Sequence, residues 1–251
     1  MTFAPDEVTA HVRASPNFGE RKGVTAPDMI VLHYTGMESG VAAENWLRNP
    51  ASEVSSHYLV HEDGLVVQMV PESARAWHAG AGSWQGVADI NSRSVGIEIV
   101  NGGHAFGSPA FPARQIDAVI ALCRGIALRH GIAPERILGH SDVSPGRKTD
   151  PGEKFPWDRL HAEAVGHWVS PSPLRRGPRL SLGSHGKAVE ALTASLAAYG
   201  YGITVGNEYD EAIQTIVAAF QRHFRPVLVD GVADQSTIDT LHALIAARTR
   251  S

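Results

Sequence analysis

Two periods of apolar and polar residues alternate along the chain. At 29–34, "MIVLHY" is an apolar run of strand-forming residues between Pro27-Asp28 and Thr35-Gly36, which predicts a buried strand. "GVAAENWLRNP" predicts a short helix ended by Asn49-Pro50, because the residue before a proline is driven out of the helical region. "SHYLVHEDGLVVQMV" holds two β-rich runs joined at Asp63-Gly64, a hairpin signal. "SVGIEIVN", 94–101, predicts another strand, with Glu98 its one charged residue. Ile116, Val119, Ile120, Cys123, Ile126 and Ala127 recur every three or four residues, so 112–130 is expected to be an amphipathic helix closed by Gly131. "RILGH" is a further apolar run, ending at His140. This order of elements, with at least one antiparallel pair, predicts an α/β fold: a mixed β-sheet flanked by helices.

The pattern stops at 170–179, "SPSPLRRGPR", where three prolines and a glycine leave no period. That stretch is expected to be a linker. Beyond it, Val189, Leu192, Leu196 and Tyr199 mark one helix, Ile213, Ile216, Val217 and Phe220 a second, and Ile238, Leu241 and Ile245 a third. The expected division is a first domain over 1–169, the linker over 170–179, and a small three-helix domain over 180–251, able to fold alone.

Composition narrows the partners. A net charge of −4 argues against a nucleic-acid ligand, which calls for a basic face. No apolar run approaches the roughly 18–20 residues that span a bilayer, so no membrane partner is expected. The N-terminal stretch lacks a basic region followed by an apolar one, and Cys123 is the only cysteine, which excludes a disulfide framework and a CxxC zinc knuckle. Both features lead to an expected cytoplasmic location, or a periplasmic or extracellular one if a signal has been removed.

Three polar residues interrupt the apolar pattern: His33 and His140 at run ends, and Glu98 inside a strand. Glu98 points away from the face shared by Ile97 and Ile99, toward solvent or toward a site. Either histidine alone reads more often as a hydrogen-bonded core residue than as a ligand. Together with the "RKTDPGEKFPW" loop, however, they are the parts of a metal site. A catalytic zinc takes three protein ligands and leaves one position open, and imidazole and carboxylate suit it. Two neutral histidines and one aspartate leave a net charge of about +1, which keeps the metal a good Lewis acid. In an extended segment Lys148 and Asp150 point the same way, so Asp150 can hold the metal while Lys148 reaches the substrate oxygen.

"VLHYTG", "SSHYLVHEDG", "AWHAG", "INSRSVGIEIVN" and "LGHSDVSPGRKTDPGEKFPW" resemble, in this order, the zinc-dependent N-acetylmuramoyl-L-alanine amidases, in the branch of the bacterial recycling amidases, with phage amidases and peptidoglycan recognition proteins as relatives. The resemblance covers about residues 25–160. It implies Zn2+ held by His33, His140 and Asp150, Glu98 as general base and Lys148 as oxyanion stabiliser. Trp77 and His78 are expected at the substrate cleft, His57 in a structural role, and His104 at the surface. "GSHGKAVEALTASLAAYGY", "AIQTIVAAFQRHF" and "VDGVADQSTIDTL" resemble a three-helix peptidoglycan-binding domain, from which Thr193 and Ala233 depart.

The resemblance implies hydrolysis of the amide between N-acetylmuramic acid, or its 1,6-anhydro form, and L-alanine of the stem peptide, with peptidoglycan fragments or murein as ligand. The alternative of another class is a non-catalytic peptidoglycan recognition protein of the same fold. A peptidase reading lacks an HExxH helix.

Overall fold

Met29–Tyr34 forms the expected strand and lies next to one edge of a six-stranded sheet. The structure, a computed structural model, describes residues 3–248; positions 1–2 and 249–251 of the two expected domains lie outside the described residues. Across the sheet the strands run His11–Val12, Val66–Gln68, Tyr58–Val60, Ser94–Ile99, Met29–Tyr34 and Ile137–Gly139. Only the hairpin pair, Tyr58–Val60 with Val66–Gln68, is antiparallel; the other pairings are parallel. Gly64 turns that hairpin at φ +87°, a conformation glycine adopts without steric cost.

Alternation along the strands sorts the core into two layers. Ile30 and Leu32 face the same side as Val95, Ile97 and Ile99, and pack under the helix Ala113–His130 through Ile116, Val119, Ile120, Cys123 and Ile126. Gly131, at φ +64°, ends that helix in the left-handed conformation, as its sequence position predicts. Met29 and Val31 face the other side, the one shared with His33.

That second side packs with Leu47 of the helix Gly40–Leu47 at Leu59 and Val67, and at Met29, Val31 and Leu138 it joins the C-terminal helices Lys187–Tyr199, Glu211–Phe224 and Gln235–Arg248. Met29, Val31, Trp84, Leu138 and Val143 share one buried cluster with Val189, Leu196, Tyr199, Val217, Phe220 and Leu244. Within the helical unit, Gln221 pins the Asp230-Gly231 turn, accepting from the backbone N–H of both residues. Thr193 is buried and accepts from the Gly206 N–H at 3.1 Å. The Pro-rich stretch carries no helix or strand until Arg179–Leu180, and Ser172 ties it to Thr240 and Ser236. Among the described residues, no helix is long and apolar enough to cross a membrane.

Candidate metal centre and catalytic cleft

In the parallel pair Met29–Tyr34 with Ser94–Ile99, His33 stands opposite Glu98. Register partners point to the same face, so both side chains emerge near the C-terminal ends of their strands on the face the long helix leaves free. The strand Ile137–Gly139 delivers His140 beside them, as the first residue of the short helix His140–Val143. The loop after that helix returns to place Asp150 against both histidines. One cavity of about 390 Å³ is lined by His33, Trp77, His78, Glu98, His140, Lys148 and Asp150, which brings every sequence-predicted site residue together.

The three innermost groups are buried and converge. His33 Nδ1 lies 2.9 Å from His140 Nδ1 and 2.9 Å from Asp150 Oδ2, and His140 Nδ1 lies 3.0 Å from the same oxygen. Their hydrogen-bond partners decide what these atoms offer. His140 Nε2 lies 2.9 Å from the carbonyl of Ala79, which can only accept, and 3.2 Å from Arg147 Nη2, whose protons have nearer acceptors in the Ala79, Ala81 and Ser144 oxygens, so the proton sits on Nε2 and Nδ1 carries a lone pair. A longer chain fixes His33. The Ser94 hydroxyl donates its single proton to the Ile90 carbonyl at 2.6 Å, so its oxygen accepts from His78 Nε2 at 3.1 Å. His78 Nδ1 then accepts from His33 Nε2 at 3.0 Å, and His33 Nδ1 is left as a lone pair.

Two nitrogen lone pairs and a carboxylate oxygen therefore face one another at hydrogen-bond distance with no proton between them. That arrangement is repulsive unless a cation lies at its centre, and two nitrogens with one oxygen are a donor set that divalent transition metals accept. Among the described residues, these three are the one group of histidine, cysteine and acidic side chains close enough to share a metal ion.

Electrostatics fit this reading. Burial, then the neighbouring His140, pushes the His33 imidazole down to about 4, so it stays neutral and free to ligate. Burial and then the Asp150 charge push Glu98 well above its usual range, while Lys148 opposes them. Glu98 Oε2 is shielded from solvent and has no hydrogen-bond partner among the described residues. A carboxyl so placed is suited to exchanging protons at a pH above the usual glutamate range.

The structure places His78 and His57 more specifically than sequence reasoning does. Both ring nitrogens of His78 are committed to protein groups, and a Cβ on Gly96 would lie 2.4 Å from its ring, so the strand glycine makes room for it. His57 is fully buried and structural: its Nδ1 accepts from Gly96 N–H at 2.9 Å and its Nε2 donates to the Ala74 carbonyl at 3.1 Å. His104 is at the surface, bonded to Tyr34 and Glu153. Sequence reasoning missed Trp46, which is 49% exposed and lines the cavity, and Arg147, which donates to the carbonyls of Ala79 and Ala81. An exposed aromatic in a short helix and an arginine beside Lys148 were the signals for them.

Fold and site define a hydrolase with a metal-capable centre. Residues 23–153 match the N-acetylmuramoyl-L-alanine amidase family, and residues 185–241 match a family described as a putative peptidoglycan binding domain. The chain belongs to the N-acetylmuramoyl-L-alanine amidases. It is 35% identical over 236 residues to the N-acetylmuramoyl-L-alanine amidase AmiD of Escherichia coli, covering 86% of this chain and 82% of that protein. It is 38% identical over 165 residues to the 1,6-anhydro-N-acetylmuramyl-L-alanine amidase AmpD of Enterobacter cloacae, covering 59% of this chain and 86% of that one. The structure of AmiD from E. coli with anhydro-N-acetylmuramic acid-L-Ala-D-gamma-Glu-L-Lys matches with a TM-score of 0.75 at 31% identity, covering 94% of this chain and 99% of that one.

Proposed function

We propose that this enzyme is a zinc amidase that hydrolyses the bond between N-acetylmuramic acid, or its 1,6-anhydro form, and the L-alanine that begins the peptidoglycan stem peptide. The observation that carries this reading is the meeting of three bare donor atoms, from His33, His140 and Asp150, with Glu98 and Lys148 in one cavity. The first three residues would hold zinc, which supplies Lewis acidity to the scissile carbonyl and lowers the pKa of water.

The chain's own residues do the rest. Glu98, unpaired and held at a raised pKa, takes the proton of the attacking water and passes it to the departing amine of L-alanine. The Lys148 ammonium faces the carbonyl oxygen as negative charge gathers on it. Trp77 and Trp46 offer flat apolar faces in the same cleft to the sugar ring and the peptide. His78 acts behind His33 rather than on substrate. The stretch 170–179 marks a boundary in sequence between the catalytic part and the helical part, whose cores are nonetheless continuous.

Elemental analysis of the purified protein, with mass spectrometry of products from anhydro-muropeptides and from sacculi, tests this reading. About one zinc per chain and release of free stem peptide are expected. Activity untouched by chelators, in protein free of transition metal, would overturn it.

A further inference from the structure

Part of the side of the sheet that carries the site packs with the C-terminal helices, and contacts from these helices reach the turn beside the metal centre. Asp142 follows His140 by two residues and is fully buried. Its Oδ2 accepts from the Gly139 N–H at 2.7 Å, closing the turn that presents His140. Its other partners come from the far end of the chain: the Tyr201 hydroxyl donates to Oδ1 at 2.8 Å, and His223 Nδ1 donates to Oδ2 at 2.7 Å. His223 is fixed in turn by stacking on Trp157, with ring centroids 3.7 Å apart and planes 18° apart. A buried carboxylate that loses such a donor keeps its desolvation cost without compensation, so the turn around it must shift.

A second contact reaches the opposite side of the same imidazole. The Gln85 N–H donates to the Gly200 carbonyl at 2.8 Å, and Trp84 packs edge-on against Tyr201 at 5.0 Å. A Cβ on Gly200 would lie 2.6 Å from the Trp84 ring, so the fit is close. The loop held in this way begins at Ala79, whose carbonyl sets the tautomer of His140. The loop before Lys148 is also met, since a Cβ on Gly146 would lie 2.6 Å from Thr215 of the second C-terminal helix.

We propose that the C-terminal helical unit is a positioning element of the metal centre, in which Tyr201 and His223 hold Asp142 and, through it, the turn that presents His140. The proposal rests on the reading of His33, His140 and Asp150 as metal ligands. It gives the helical unit a task inside the catalytic site, whatever else it binds.

The test uses full-length protein stripped of metal, titrated with zinc against a chromophoric chelator, and loaded separately with cobalt(II) for its visible absorption spectrum. Tyr201→Phe removes one donor to Asp142. His223→Phe removes the other and keeps the stacked ring, whereas His223→Asn keeps a donor near Nδ1. Both Phe variants are expected to bind zinc about 10–100-fold more weakly, the range seen when support behind a metal ligand is lost, and to shift the cobalt bands. His223→Asn should restore most of the affinity. Leu244→Ala, in the apolar core of the helical unit, supplies a reference that lowers melting temperature without touching Asp142. Phe variants that bind zinc as the unaltered protein does, or lose no more affinity than Leu244→Ala at an equal drop in melting temperature, would overturn the proposal. An unaltered protein that binds no metal would remove the metal reading, and this inference with it.

Discussion

His33 donates its Nε2 proton to Nδ1 of His78 across 3.0 Å, and this bond decides which nitrogen of His33 is free to bind a metal. His78→Phe keeps a ring in the same space but offers no acceptor, so His33 loses its tautomer preference. Zinc affinity should fall about 10–100-fold. Gly96→Ala should act in the same direction, because the added Cβ would meet the His78 ring at 2.4 Å. Chelator competition on both variants checks this, and unchanged affinity in both would show that the chain from Ser94 to His33 sets nothing.

Glu98→Gln should retain zinc and lose about 10²–10⁴-fold in turnover, the usual contribution of a general base. Lys148→Met should cost about 10²–10³-fold in kcat with metal content unchanged. The pH profile follows from the direction of the Glu98 shift. Burial, the largest cause and one that acts with or without metal, raises its pKa above the ordinary 4.5, and only the ionised form accepts a proton. The acid limb of kcat/KM should therefore lie above the usual glutamate range and fall as pH drops through the raised value. A profile flat down to ordinary glutamate pH would exclude Glu98 as the base.

The sheet and its long helix were legible because their signals are local: apolar runs, a three-and-four spacing, and glycine or proline at the ends. The residues of the centre were legible as polar interruptions, His33 and Glu98 inside runs that would otherwise be core. Asp142 was not, since an aspartate in "GHSDVS" reads as a loop residue until Tyr201 and His223, 59 and 81 positions away, meet it in the core. The continuity between helical unit and sheet was hidden for the same reason. Met29 and Val31 show only that their side of the sheet must be covered, and part of the covering comes from beyond a Pro-rich stretch. Long-range packing leaves no periodic trace in either partner.

His57 makes stability depend on pH away from the reacting atoms. Burial, and then the nearby Arg21 charge, push its pKa down to about 3, against 6.5 for a free histidine. Between these values the unfolded chain binds the extra proton and the folded chain does not, so its contribution is whole above pH 6.5 and is lost as pH falls toward 3. Denaturant midpoints measured from pH 7.5 to 4.5 should decline, and His57→Gln, less stable throughout, should decline less steeply. Parallel curves for the two proteins would assign the acid sensitivity to other groups.

Removing residues 180–251 should unfold or aggregate the remainder rather than release a trimmed enzyme. The cut would take away the helical side of the cluster that holds Met29, Val31, Trp84, Leu138 and Val143, all at most 1% exposed in the whole chain. Burying a large apolar side chain contributes about 1.5–3 kcal/mol, so even partial exposure of this cluster is a sizeable share of the about 5–15 kcal/mol that holds a typical domain folded. The same cut takes two donors from the buried Asp142 carboxylate. Activity should therefore fall alike on soluble muropeptides and on sacculi, together with melting temperature and zinc content. A tether would behave differently, since its loss weakens only the polymer reaction by lowering the enzyme's local concentration there. A truncated protein that stays soluble, holds zinc, cleaves soluble muropeptides at the full rate and fails only on sacculi would show that the helices act as a tether and that the sheet does not need their cover.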